Sequence, residues 1–440
     1  MDQVAFLLGR YFPSSKGELC MGGVAVSELA NHYGTPLFVY DRDVLDKKWS
    51  LLRDALPPRF SICYSVKANP NQTILKHFLG KGAGLEIASA GEFCQALGAG
   101  CRPENIIFAG PGKTESELEF VLEKGIGEIH LESLREAERV SVIAQRLGVR
   151  AHVALRVNPS GEAEGGAMRM GGRPAVFGID EECLDEVLDR LSAFHGLSIL
   201  GVHLFAGTQI LDFKILVSQY QKGVEIARRV ASHVKRPLVT LDFGGGLGTP
   251  YFPHEQELDT LKLRGELDTL LETVKDDPLL ADTKFMVEPG RYLVGEAGVY
   301  VTRVNDIKVS RGKKFLILDG GMHHHLAASG NLGQTIKRNY PVAVLNKLEQ
   351  SANELYEVAG PLCTPLDVLA RSVNLPEADV GDLVGVFQSG AYARSASPLG
   401  FLSHPAPPEV WVDRGLHRLI RRRGESGDYL RDQPSDPEAA

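Results

Sequence analysis

The sequence has no apolar run approaching the roughly 20 residues that a bilayer-crossing helix needs, so no helical membrane span is expected. It is also short of positive charge: Lys and Arg number 48 against 56 Asp and Glu in 440 residues, a formal charge of −8. Phosphate-backbone binding draws on a basic surface, so nucleic acid is not expected as the main partner, local basic patches aside. Cysteine is sparse and unpatterned. Cys20, Cys63, Cys94, Cys101, Cys183 and Cys363 show no CxxC spacing and no regular framework, and they read as reduced thiols in a cytoplasmic protein. The beginning of the chain offers only the short apolar run 4–8 with an acid ahead of it, a poor match to a secretory signal. With 43% hydrophobic and 24% charged residues the chain has the composition of an ordinary globular protein with a sizeable core.

The length suits two domains, or one large α/β barrel with an appendage. From 36 to 298, short apolar runs (37–40, 62–66, 84–87, 106–108, 128–131, 152–157, 200–204, 238–243 and 284–288) alternate with segments of helical periodicity such as 118–124 and 134–147. Strands alternating with helices indicate βα units and a parallel sheet. About eight units in this span suit a closed (β/α)8 barrel, with an open doubly wound sheet as the alternative. After Val299 the runs 299–309, 314–318, 356–358, 382–387 and 409–412 are separated by Gly, Pro and polar turns, the punctuation of a β-domain. The expected division is an N-terminal segment 1–37 packing with the β-domain, a barrel 38–298, a C-terminal β-domain 299–420, and a flexible tail 421–440.

Several motifs fall at strand ends. In Ser65-Val66-Lys67-Ala68-Asn69-Pro70 a lysine follows a strand among small residues. Desolvation there lowers an amine's pKa and prepares it to attack an aldehyde; the alternative is a surface lysine in a turn. Asp242-Phe243-Gly244-Gly245-Gly246 lets backbone N–H groups approach an anion closely. Glu288-Pro289-Gly290-Arg291 holds a carboxylate and a guanidinium on a rigid turn, the first able to stabilise a protonated ring nitrogen and the second a phosphate or carboxylate. Gly110-Pro111-Gly112-Lys113-Thr114 mimics a P-loop but has Ile107 where that motif needs glycine, so it reads as a βα loop. His323-His324-His325 lacks an acid or cysteine at helical spacing, which disfavours a metal site, and one of the three, His324, is a candidate substrate contact. Cys363, in Gly360-Pro361-Leu362-Cys363-Thr364-Pro365, sits in a Pro-bounded turn that exposes a thiol, and Gly390-Ala391-Tyr392 could present a phenol to an anion.

Taken together, VKANP, GLEIASAGE, RVNP, GTQI, LDFGGGLG, EPGR, GPLC and GAY resemble the fold type III pyridoxal-phosphate decarboxylases, the diaminopimelate and ornithine decarboxylase group, over residues 36–413. The resemblance implies an α/β fold, an alanine-racemase-like (β/α)8 barrel plus a C-terminal β-domain, assembled as a homodimer with shared active sites. It implies pyridoxal 5′-phosphate as cofactor, joined as a Schiff base to Lys67, with Glu288 at the pyridine nitrogen. Thr208, Gly244, Gly245, Gly246 and Arg291 would hold the phosphate. Cys363 and Tyr392 would act across the dimer interface, the first as the acid that reprotonates the α carbon and the second on the phosphate. The implied activity is amino-acid decarboxylation by a cytoplasmic carboxy-lyase. A racemase of the same fold places arginine at the ring nitrogen, so Glu288 points away from racemisation.

Three departures bear on the substrate. Where the family has a histidine stacked on the cofactor ring, this chain has Phe205 in His203-Leu204-Phe205, leaving His203 or Phe205 as the stacking ring. The acid that usually follows the family's cysteine, and recognises the distal amine of the substrate, is Thr364. The family's arginine- and tyrosine-bearing substrate segment is replaced by residues 323–341. These changes count against free diaminopimelate, ornithine or lysine as substrates, and the segments HHHLAASGN, FQSGAY and FLSHP are similar to the exosortase-associated and natural-product branches, the latter including action on glutamate tethered to an acyl-carrier protein. The leading expectation is an amino-acid decarboxylase of the diaminopimelate decarboxylase type. The alternatives are a carrier-linked aminoacyl decarboxylase and a catalytically silent homologue, the last opposed by retention of Lys67, Glu288 and Cys363.

Overall fold

A run of apolar residues becomes a buried parallel strand when a capped amphipathic helix follows to cover it, and that unit recurs along the middle of the chain. Asn71, Ser89, Thr114, Ser133, Asp212 and Asp259 each accept a backbone N–H of the helix they precede, an arrangement worth about 1 kcal/mol per helix start. Thr114 and Glu117 complete a reciprocal capping box. The computed structural model describes residues 2–160, 168–169, 174–205, 207–332, 334 and 337–433. It divides into two units, one formed by Trp49–Thr249 and Gln256–Tyr292, the other by Met1–Lys48, Pro250–Glu255 and Leu293–Ala440.

The first unit is a closed barrel of eight parallel strands: β1 (Phe60–Ser65), β2 (Gly84–Ile87), β3 (Ile106–Phe108), β4 (Glu128–Leu131), β5 (Ala151–Asn158), β6 (Leu197–Leu204), β7 (Thr240–Asp242) and β8 (Lys284–Val287). Each pairs with the next, and β8 pairs with β1 to close the ring. The open-sheet alternative is thereby excluded. A short ninth strand, Ile179–Asp180, adds to β5 outside the ring. Buried Cys63, Ile107 and Met286 pack together in the barrel unit. The segment 110–114 is the loop after β3, and its Lys113 is buried, donating to the carbonyls of Gly110 and His130 at 2.7 Å each and to Glu136 at 3.0 Å. It is a structural hub of the loop.

The second unit is β-rich. Its sheet runs Val368–Leu375, Glu354–Ala359, Lys313–Leu318, Gly298–Ser310, Leu37–Asp41, Glu409–Asp413 and Leu416–Arg421, with Leu383–Val386 and Val342–Val344 joined through Gly298–Ser310. The candidate strand 37–40, read above as the first of the alternating run, belongs here and not to the barrel. It lies antiparallel to Gly298–Ser310 and parallel to Glu409–Asp413. All five of its residues are buried, and a two-sided apolar strand reads the same in either sheet, so its partners decide its place. Buried Lys48 pairs with buried Glu296 at 2.5 Å. Of the tail expected to be flexible, residues 434–440 lie outside the described residues. Residues before them are held: Arg422 pairs with Asp428 at 2.8 Å, and the Tyr429 hydroxyl donates to the Leu399 carbonyl at 2.8 Å. No described helix is long and apolar enough to cross a membrane.

Candidate functional site

In a parallel barrel the loops after the strands share one rim, so chemistry-bearing residues at the carboxyl ends of different strands are brought together. Lys67 lies in the single 3-10 turn Val66–Ala68 directly after β1, and its Nζ contacts both carboxylate oxygens of Glu86 on β2, at 3.0 and 2.9 Å. The two differ in exposure: the Lys67 side chain is 47% exposed and that of Glu86 1%. Ser65 also donates its hydroxyl to Oε2 of Glu86, at 2.5 Å, which helps to fix the carboxylate. Nearby Glu92 has its carboxyl pushed up to about 7, by burial first and then by the charge of Glu86, with Lys67 among the groups opposing the rise. The turn at 288–291 is tied to this strand end. The Pro289 carbonyl accepts the N–H of Ser65 at 3.2 Å, and a Cβ on Gly290 would stand 2.9 Å from Cβ of Ala68.

Deeper in the same unit, Glu288 is buried against two imidazoles. Its Oε2 is 3.6 Å from Nε2 of His203 on β6, and its Oε1 is 3.9 Å from Nδ1 of His130 on β4. The two rings lie 4.3 Å apart, centroid to centroid. His130 is positioned by Glu128 on its own strand, 3.1 Å away, and Glu128 in turn accepts the Thr240 hydroxyl at 2.8 Å. Burial is the largest influence on His203 and lowers it to about 4, with the Glu288 carboxylate opposing the shift. Burial also opposes charge on Glu288, but His203, His130 and Lys67 more than offset it and hold that carboxyl below the usual range. Asp242, at the end of β7, goes the other way: burial first, and then the charge of Glu288, push it well above the usual range. Two buried acids that repel each other are thus pushed in opposite directions, Asp242 towards its neutral form and Glu288 towards its charged form.

The glycine turn follows β7. Gly244 and Gly246 have left-handed backbone (φ 68° and 107°), and Gly244 donates its N–H to Asp242 at 2.7 Å. A Cβ on Gly244 would stand 2.6 Å from the Leu204 carbonyl and 2.9 Å from the Phe205 ring. On Gly245 it would stand 2.8 Å from the Glu288 carbonyl, and on Gly246 2.9 Å from that of Gly207. Only glycine brings this backbone so close to its neighbours. Half-buried Phe205 therefore lies over the turn, whereas His203 is the ring at the Glu288 carboxylate. Thr208 is half-buried in the two-residue strand Gly207–Thr208, and Arg291 begins the short helix that follows Gly290. Arg156, near the end of β5, pairs with Glu132 at 2.7 Å and stacks on Phe177 at 4.8 Å from the ring centroid.

The remaining expected residues lie in the β-rich unit. Cys363 is exposed and Thr364 half-buried in a turn built on buried Asp367, whose carboxylate accepts the N–H groups of Met322 at 2.6 Å and Leu362 at 2.9 Å. Gly321 and Gly360 are needed there, since a Cβ on either would stand 2.2 or 2.3 Å from that carboxylate. Tyr392 is half-buried and adopts a left-handed backbone (φ 54°). His323, His324 and His325 are all buried. Nδ1 of His324 is 3.0 Å from the Tyr300 hydroxyl, and Nε2 of His325 is 2.9 Å from that of Ser389. Burial lowers the three to about 4, 2 and 3, so they stand as neutral interior rings. That places His324 inside its unit and away from any open surface of the described chain. Glu86, His130 and Asp242 carry site geometry that the motif reading left without a role. The signal for His130 was period-two alternation, Glu128 and His130 sharing one face of β4.

The barrel interior fits a heteroaromatic cofactor bearing an anion. Both ring nitrogens of His203, Nδ1 of His130 and Oε1 of Glu288 are buried without a hydrogen-bond partner among the described residues. They stand beside an ionised carboxylate suited to a protonated ring nitrogen. The glycine turn supplies a cradle that any Cβ would fill. His130, His203 and Glu288 also bring ligand atoms within 4.8 Å of one another, a donor set that would suit a metal ion equally well on type alone. Comparison with known proteins separates these choices. Residues 42–295 match the family model of the pyridoxal-dependent decarboxylase pyridoxal-binding domain. The chain is 39% identical over 411 residues to the L-glutamyl-(BtrI acyl-carrier protein) decarboxylase of Niallia circulans, covering 93% of this chain and 96% of that one. It is 34% identical over 424 residues to the diaminopimelate decarboxylase of Aquifex aeolicus, covering 96% of each. The crystal structure of the Helicobacter pylori diaminopimelate decarboxylase complexed with L-lysine superposes with a TM-score of 0.83 at 29% identity, over 92% of this chain and 98% of that one. A buried acid beside two imidazoles, in a barrel matched along its length by such enzymes, makes this chain a member of the pyridoxal phosphate-dependent decarboxylases, a carboxy-lyase of fold type III.

Proposed function

We propose that the chain removes the α-carboxylate of an amino acid of the kind handled by diaminopimelate decarboxylases. The observation that carries this reading is the buried Glu288 carboxylate set 3.6 Å from His203 and 3.9 Å from His130, in the same barrel as Lys67 and the glycine turn. Lys67 would hold the cofactor's aldehyde carbon, and its half-exposed amine, steadied by Glu86, leaves room for exchange with a substrate amine. Glu288 would keep a proton on the ring nitrogen. The N–H groups of the Gly244–Gly246 turn, with Thr208 and Arg291, would take the phosphate, while Phe205 or His203 lies against the ring. When bound, pyridoxal phosphate supplies a sink for the electron pair left by departing CO2. We further propose a cytoplasmic homodimer in which Cys363 and Tyr392 of one protomer serve the site of the other. There Cys363 would deliver a proton to the α carbon and Tyr392 would bind phosphate; exposure of Cys363 supports this.

A second reading has its own observation. Thr364 stands where the resemblance places an acid for the distal amine of a free diamino acid, and it offers only a hydroxyl. A substrate whose far end is covalently carried needs no such acid, and the Niallia circulans relative is named for a carrier-linked substrate. The test is CO2 release by cofactor-loaded protein from amino acids presented free and as carrier-linked thioesters. Rapid release from one of the two forms is expected and decides between the readings. Retained cofactor with no release from either would make the chain a silent binder.

A further inference from the structure

The chain carries more acids than bases, and many of its cations are paired with carboxylates. One cluster in the β-rich unit departs from this. Lys337, Arg338 and Arg371 are exposed and surround a cavity of about 220 Å³, shared with Ser329, Asn339 and the strand residues 368–370, with no acid in its lining. None of the three has a carboxylate within ion-pair distance among the described residues. Among the described residues, Nζ of Lys337 donates to the amide oxygen of Asn331, at 2.5 Å. The Arg338 guanidinium lies over the Phe252 ring at 4.9 Å and meets His254 at 3.3 Å. The arrangement is held from below. Asn339 clamps the backbone of Arg371 twice, donating to its carbonyl at 2.7 Å and accepting its N–H at 2.9 Å. The stem of Lys337 lies against Gly330, where a Cβ would stand 2.9 Å from its Cγ. Three like charges held around one hollow repel one another unless an anion joins them, and guanidinium forks suit phosphate oxygens.

We propose that this hollow binds the phosphate ester of a phosphopantetheine arm, so that Lys337, Arg338 and Arg371 hold an acyl carrier whose aminoacyl thioester is the substrate. The inference rests on the carrier-linked reading above. The cavity has room for a phosphate group with its flanking carbons, and a carrier so anchored supplies the hold on the substrate's far end that Thr364 cannot give.

The test uses the cofactor-loaded full chain and two probes, 4′-phosphopantetheine and pantetheine, titrated by calorimetry at low and raised salt. Phosphopantetheine should bind at least about tenfold tighter than pantetheine, the worth of one charge-assisted contact, and the preference should shrink with salt. Arg371→Ala and Lys337→Ala should each remove most of it while leaving the visible spectrum of the bound cofactor unchanged. In turnover, both variants should raise KM for a carrier-linked substrate and leave that for a phosphate-free thioester unaltered. Equal affinity of the wild-type chain for the two probes, or a preference that survives both substitutions, overturns the site whichever substrate the enzyme uses. CO2 release from a free amino acid with none from carrier-linked forms overturns the carrier as occupant, and a phosphopantetheine preference persisting in that case marks the failure as one of the substrate reading alone.

Discussion

Lys113→Met removes a buried ammonium from the loop after β3 and tests whether this lysine is structural. Its Nζ donates to Glu136 at 3.0 Å and to the carbonyls of Gly110 and His130 at 2.7 Å, and both members of the ion pair are almost fully buried. Burial is the main cause lowering the lysine's pKa, and the carboxylates of Glu136 and Glu132 oppose it, so the partners and not the solvent keep it charged. Removing one side of such a pair leaves an uncompensated carboxylate and two carbonyls short of a donor, at a cost of about 3–5 kcal/mol. Adding Glu136→Gln removes the stranded charge and keeps an acceptor for the N–H of Glu132, which Glu136 takes at 2.7 Å. The double variant should therefore recover more than half of the loss. Urea unfolding of the cofactor-free protein, followed by far-UV circular dichroism, reads both values without ligand linkage. A single-variant loss below about 1 kcal/mol, or a double variant no better than the single, would refute the assignment of Lys113 as the hub of this loop.

Gly246→Ala should weaken cofactor binding at least about tenfold, because the new Cβ meets the Gly207 carbonyl at 2.9 Å on a backbone of φ 107°; a titration of cofactor-free protein matching wild type would contradict the cradle. His325→Gln addresses pH. Burial holds this imidazole at about 3 against an ordinary 6.5, so the unfolded chain takes up a proton that the folded chain refuses, and the stability present above pH 6.5 is lost as pH falls towards 3. Between pH 6.5 and 5 the wild type should lose about 2 kcal/mol more than the variant, and parallel urea midpoints would count against the buried neutral ring. Cys363→Ala should slow turnover and alter the protonation outcome while cofactor affinity stays unchanged; unchanged turnover and product would assign the acid elsewhere.

Most barrel strands were legible because each is a short apolar run followed by a capped amphipathic helix, a local signal that needs no partner to be recognised. The run 106–108 and the strand Ile106–Phe108 coincide, as do 128–131 and Glu128–Leu131. The strand Leu37–Asp41 was assigned to the wrong sheet because strand pairing is non-local: its neighbours begin at Gly298 and Glu409. Val342–Val344, Val368–Leu375 and Leu416–Arg421 escaped notice, the first for its brevity and the others because half-exposed strands mix polar with apolar residues. At the site, glycine and proline punctuation exposed Lys67, Gly244–Gly246 and Glu288. Glu86, His130 and Asp242 sit within ordinary-looking strands, and only the closed ring shows that their side chains converge. The histidine triplet, read as a poor metal site, proved to be buried, a placement that three adjacent imidazoles do not announce in sequence.

The account depends most on the amine of Lys67 being the group that holds the cofactor. Borohydride reduction of the cofactor-loaded protein, followed by proteolysis and mass spectrometry, tests this directly. A single pyridoxyl group on the peptide carrying Lys67, absent from Lys67→Ala, is the predicted result. A pyridoxyl group on any other lysine, or none on a protein that releases CO2 from its substrate, would contradict the account.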